Sequence, residues 1–318
     1  MAKRIASLLP SATEIVCALG ARDELVGVSH ECDFPAGVNA LPVLTRARVQ
    51  GTTSAQIDVA VRGILESALA VYDIELERLR EAQPDVIVTQ DLCDVCAVSL
   101  DDVRAAVLRL ARQDVDIVNL HPTRLDDIWA DMMHTARAIG RVPEATTLIA
   151  DSKARLAGIA ERSVRAGGGR RPRVLTVEWI APVMLGGMWM PDLVDLAAGE
   201  TLVTAGGDHA PTLGLEELTR LDPDVVLVKP CGFDLQRTLA ELPVLRTALP
   251  WASWRAVEEE RVYIADGNAY FNRPGPRIVE SLEILAACLY PAAFPDFRAA
   301  HAPSVVRVDR ELRLHSFA

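Results

Sequence analysis

The chain has 318 residues, half of them hydrophobic and 24% charged, and its 33 Lys and Arg against 44 Asp and Glu leave a net charge of −11. That length suits two medium α/β domains, and an acidic chain without a basic stripe excludes nucleic acid as a main partner. No stretch approaches the roughly 20 apolar residues of a membrane span, so membrane insertion is excluded as well. The opening MAKRIASLLPSATEIVCALG interrupts its apolar run at Pro10 and again at Glu14. A secretory signal needs a longer apolar core, and the expectation is a cytoplasmic protein.

Residues 4–8 predict a first strand. Ser11-Ala-Thr-Glu14 matches a capping box for a helix closed by Gly20. LVGVS, residues 25–29, is a second strand that exits into His30-Glu31-Cys32-Asp33-Phe34-Pro35. About forty residues without a strand follow, with helical periodicity over 57–69 and a second helix beginning at 74–79. DVIVT, residues 85–89, reads as a buried parallel strand, and Gln90 to Val98 as its exit loop, carrying Asp91, Cys93 and Cys96. Ser99 caps a helix over about 100–112, and a strand over 115–120 ends at His121. Residues 123–140 and 143–165 are two long helical patterns, the first with Leu125, Ile128, Trp129, Met132 and Ile139 on one face. The expected bounds are an N-terminal lobe over 1–122, connecting helices over 123–170 and a C-terminal lobe over 171–318.

The second half repeats the logic of the first. Its helix over 191–199 is closed by a glycine ten residues before His209, as Gly20 stands ten before His30. A strand is expected over 201–205. LTRLDPDVVLVKPC, ending at Cys231, parallels LREAQPDVIVTQDLC, ending at Cys93. A strand over 261–266, the loop GNAYFNRPG and a helix over 276–289 close the lobe, and 305–314 reads as a terminal hairpin or strand.

Ligands of open α/β sheets bind at the carboxyl ends of the strands, and the exit loops carry the candidate ligand-binding residues: His30, Glu31, Glu178, Trp179, Trp189, His209, Tyr270, Asn272 and Arg273. Indoles there either stack on a flat ligand or pack the domain. Four of the six cysteines, Cys32, Cys93, Cys96 and Cys231, fall on exit loops, and Cys17 and Cys288 fall within helices. Cys93-x-x-Cys96 has the spacing of a metal chelate or a redox pair, and buried structural thiols are the third reading. With no phosphate-binding loop, nucleophile elbow or dinucleotide fingerprint in the chain, binding is favoured over catalysis.

RIASLLPSATEIVCALG, LVGVSHECDFP, PDVIVTQDLC and DGNAYFNRPGPRIVESLEILA together resemble the cobalamin/iron-siderophore substrate-binding proteins of ABC importers. The resemblance is to the cobalamin-binding branch encoded without a signal peptide, and covers roughly residues 4–292. It implies two Rossmann-like lobes joined by a long rigid helix, which 143–165 fits, and a ligand cleft between the lobes. The implied ligands are corrinoids, heme and ferric chelates. His30, Trp179, Trp189 and Tyr270 match cleft-lining positions, and a transporter permease is the implied partner. The leading expectation is a non-enzymatic binding protein for a corrinoid (cobalamin-like) or metal-chelate ligand, with His30 or His209 on the metal. The alternative is a cytosolic metalloprotein holding zinc or an iron–sulfur cluster on Cys32, Cys93, Cys96 and Cys231.

Overall fold

Sheet order follows from which strand runs are apolar throughout. A computed structural model describes residues 2–49, 51–66, 72–90, 103–106 and 114–318. The chain divides into two compact units, one of Met1–Thr52, Gln56–Pro122 and Asp126–Asp151, the other of Thr53–Ala55, Thr123–Leu125 and Ser152–Ala318.

In the first unit, strands β1 (Ile5–Ser7), β2 (Leu25–Val28), β5 (Val86–Gln90) and β6 (Asp116–Leu120) form a parallel sheet in the order β2-β1-β5-β6. Every residue of β1 and β5 is buried, as central parallel strands covered on both faces require. Ala6, Leu8, Leu44, Leu79 and Ile87 pack one side of this sheet. The chain leaves β1 to pair on one side with β2 and later on the other with β5, so the switch point falls between β1 and β5.

Two expectations are corrected here. The helix starts at Pro10, not behind a Ser11 cap: it spans Pro10–Ala18, with extended Leu9 as the uncapped N-cap residue. A proline in the first turn brings its own helical φ and needs no donor satisfied, which frees Ser11 and Thr13 to be buried. Gly20, at φ +74°, closes the helix as expected. The stretch expected to lack strands holds β3 (Thr45–Ala47) and β4 (Tyr72–Ile74), an antiparallel pair flanking the Ser54–Glu66 helix. Strands of three mixed residues pairing across so long a gap leave no period-two signal. The helix expected over 100–112 and the loop from Asp91 to Ser99 fall largely outside the described residues.

The second unit is built on β7 (Arg173–Trp179), β8 (Met184–Leu185), β9 (Glu200–Thr201), β10 (Val225–Val228), β11 (Val262–Ala265), β12 (Val305–Val308) and β13 (Leu314–Ser316). The sheet runs β13-β12-β11-β10-β7-β8, with β9 paired to β7. The β7–β10–β11 centre is parallel, and β12 and β13 close one edge antiparallel, which resolves the C-terminal stretch as a hairpin. Leu175, Val177, Val226, Val228 and Ile264 bury against Leu245, Trp251 and Trp254. The strand expected over 201–205 shrinks to Glu200–Thr201. It has one neighbour, and Val203 beyond it is 40% exposed, so nothing rewards extending it. The helix over Val142–Gly167 begins in the first unit and ends in the second, and among the described residues no helix is long and apolar enough to cross a membrane.

Candidate functional site

The first unit presents its polar residues just past β2. His30 is half-buried, and its backbone N–H and its Nδ1 both meet Thr45 Oγ1, at 3.1 and 2.7 Å. Thr45, buried on β3, donates its one hydroxyl proton to Ser29 Oγ at 3.0 Å. Thr45 thus holds the ring through Nδ1, and Nε2 is the ring nitrogen without a bond to Thr45. Tyr72 meets the His30 ring edge-on at 5.0 Å and donates to Glu31 Oε1 at 2.8 Å. Burial lowers the His30 pKa, against the opposing charge of Glu31, and so favours the neutral ring that ligates metals. Glu31 itself is exposed and engaged by Tyr72.

The second unit gathers its candidates at the ends of β7, β10 and β11. β7 pairs on one side with β9 and on the other with β10, the switch point of this sheet. Glu178 and Trp179 end β7, and Lys229, immediately past β10, has a wholly buried side chain. Its Nζ donates to Glu178 Oε2 at 2.8 Å and to Asn272 Oδ1 at 2.9 Å. Asn272 Nδ2 donates to the Lys229 and Gly267 carbonyls at 2.9 and 2.8 Å, which joins the β10 and β11 exits. Trp179 is half-buried, with its ring against buried Phe233 at 5.2 Å. Arg237 lies 3.9 Å over the Phe233 ring. Tyr270 is half-exposed, edge-on to His301 at 5.8 Å and within 5.5 Å of the Arg277 guanidinium.

Trp189 and Arg273 bond within the frame. Trp189 is 7% exposed and gives its indole N–H to the Phe271 carbonyl at 2.8 Å, so the structure places it among packing residues rather than on an open face. Arg273 is buried and donates to Asn268 Oδ1 at 2.9 Å. His209 stands exposed on its loop.

The thiols divide in a similar way. Cys32 is buried, with Sγ 3.1 Å from Thr13 Oγ1. Thr13 in turn meets Ser7 Oγ at 2.7 Å and Ser7 donates to the Leu9 carbonyl at 3.1 Å, so Cys32 sits at the end of a buried run of hydroxyls. Cys231 is half-buried and gives its backbone N–H to the Glu178 carbonyl at 3.0 Å. Cys288 is buried, which raises its pKa, and Cys17 is half-buried with burial raising its pKa also. Cys93 and Cys96 lie outside the described residues. Among those described, no three His, Cys, Asp or Glu side chains are grouped to hold a metal, so the zinc or cluster alternative finds no support there.

Three contributors escaped sequence reasoning. Lys229, in VVLVKPC, looks like a solvated residue ending a strand, and only its position directly beyond four buried valines and leucines hinted at burial. Thr45 and Tyr72 sit on strands that the pattern did not reveal.

These are the features of a bilobal α/β binding fold, with polar and aromatic groups gathered at strand-exit loops. A family model described as periplasmic binding protein matches residues 5–269, and the chain belongs to that family, whose members bind small molecules without transforming them. An uncharacterized ABC transporter substrate-binding lipoprotein, YvrC, of Bacillus subtilis is 21% identical over 300 residues, 92% of this chain and 82% of its own. A periplasmic heme-binding protein from Pseudomonas aeruginosa shares the fold with TM-score 0.71 and 20% identity, over 99% of this chain and 98% of its own. The periplasmic vitamin B12 binding protein BtuF of Vibrio cholerae does so with TM-score 0.62 and 19% identity, over 92% and 98%.

Proposed function

We propose that this protein is a non-enzymatic carrier for a corrinoid or a related metal-centred planar ligand, delivered to an ABC transporter permease. The observation that carries the reading is His30: a half-buried imidazole, its pKa lowered by burial, whose ring is fixed through Nδ1 on Thr45 Oγ1 at 2.7 Å, so that Nε2 would be the atom offered to a metal centre. Trp179, braced on Phe233, adds a half-exposed aromatic face of the kind that covers a flat ring. Relatives described as binding heme and vitamin B12 support the ligand class. Their identities support the fold alone, so the choice of corrinoid rests on the resemblance of HECDFP and NAYFNRPGP to the cobalamin-binding branch.

The test is a visible-absorbance titration with cobalamin, dicyanocobinamide and heme. A corrinoid should bind with Kd at or below about 10 μM, near −7 kcal/mol. His30→Ala should weaken that by about tenfold, or 1.4 kcal/mol, and alter the absorption of the bound metal. Failure of every ligand to bind at tens of micromolar would remove the proposal.

A further inference from the structure

The group least explained by packing is the carboxylate at the end of β7. Lys229 has no side-chain exposure, and its ammonium is fixed between Glu178 Oε2 and Asn272 Oδ1. Asn272 has committed its oxygen and both amide protons within the protein. Glu178 differs: one oxygen is held by Lys229, and the other accepts no hydrogen bond among the described residues, on a side chain 24% exposed. It stands directly before the half-exposed Trp179 and at the switch point between β7 and β10. A buried cation thus aims one oxygen lone pair outward, with its orientation set from behind.

We infer that Glu178 is a specificity residue that selects planar ligands bearing neutral carboxamides at their rim and rejects those bearing free carboxylates. This rests on the ligand class proposed above. An amide N–H supplies the proton that the outward oxygen lacks. A carboxylate in the same place supplies only another acceptor, with like charge facing like. A site built to pair with a donor discriminates strongly against an analogue without one, because its own polar group is left unpaired.

Glu178→Gln reverses the outward polarity. The Lys229 ammonium can only donate, so the new side chain must turn its carbonyl to Lys229 and present its NH2 outward. Titrations of wild type and variant with dicyanocobinamide, rimmed by amides, and heme, rimmed by acids, read the effect. The ratio of heme Kd to cobinamide Kd should fall at least tenfold in the variant. A ratio unchanged within twofold, with both ligands bound, overturns the inference and leaves the carrier reading intact.

A second measurement needs no substitution, should the variant fail to fold. Wild type should bind cobinamide whose rim amides have been hydrolysed to carboxylates at least tenfold more weakly than intact cobinamide, the ring and metal being the same. Equal affinity refutes the role of Glu178. Binding of neither form and no binding of heme removes the ligand class, and this inference with it.

Discussion

At the scale of single residues, the groups that fix the loops are those whose hydrogen bonds end inside the protein. Trp189 illustrates this: its N–H is the donor to the carbonyl of Phe271, a residue 1% exposed and held at φ +69°. The left-handed region is uncommon for an aromatic residue, and the conformation persists because both its backbone groups are tied, the N–H to Ser281 Oγ at 2.9 Å and the carbonyl to Trp189. Trp189→Phe keeps an aromatic ring but orphans that buried carbonyl, so stability to urea should fall by about 1–3 kcal/mol. A loss below about 0.5 kcal/mol would place the variant among neutral surface changes and show that the bond contributes nothing. Sequence gave the indole but not its direction. A tryptophan on a loop is equally suited to covering a ligand and to bracing a neighbour, and only the partner of its N–H decides. Glu178 was legible as an acid near a strand exit, though the structure places it within β7, while Lys229, which orients it, was hidden because buried lysine is rare.

At the scale of elements, what was legible is what repeats every two or 3.6 residues. The runs around Val86, Val225 and Val262 are buried over almost their whole length and read as strands without ambiguity, and the long helices lie within two residues of their expected ends. β3, β4 and β9 were illegible or overdrawn, because strands of two or three residues owe their existence to a distant partner. The exit of β11 shows how closely such elements approach. A Cβ on Gly267 would lie 2.1 Å from the Pro230 carbonyl oxygen and 2.6 Å from the Lys229 carbonyl carbon. Both are backbone atoms at the end of β10, and neither can swing aside as a side-chain tip would. Gly267→Ala should therefore cost about 1–3 kcal/mol by overpacking. It should also weaken ligand binding, since Asn272 is anchored on the Gly267 carbonyl. Wild-type stability and affinity in that variant would mean that the two exits are free to separate.

At the scale of the whole molecule, the net charge of −11 hides how many carboxylates are paired with cations. Arg48 and then Arg46 hold Asp73 below the ordinary range, Arg162 does so for Asp296, and His315 with Arg313 for Asp309. Burial alone would raise Glu24 and Glu283, but Arg141 outweighs it at Glu24, and His301 with Arg155 at Glu283. In each case the folded pKa lies below the unfolded one. The unfolded chain then binds more protons as the solution is acidified, and the stabilisation, full above the ordinary carboxylate values, is lost as pH falls through the lowered ones. His30 adds to the same slope at higher pH, because its folded value lies below its ordinary 6.5. Asp266 opposes it: burial raises its pKa, so its contribution is present at low pH and lost as pH rises. With five lowered carboxylates against one raised, the urea midpoint should fall steadily from pH 6 to pH 3. The exposed Arg162–Asp296 pair should lose its share in high salt. The Glu283–His301 contact, with side chains 13% and 8% exposed, should keep its share. Glu283→Gln should accordingly flatten part of the acid decline even in high salt, whereas a midpoint that is level or rising toward pH 3 in the wild type would show that these pairs do not govern its stability.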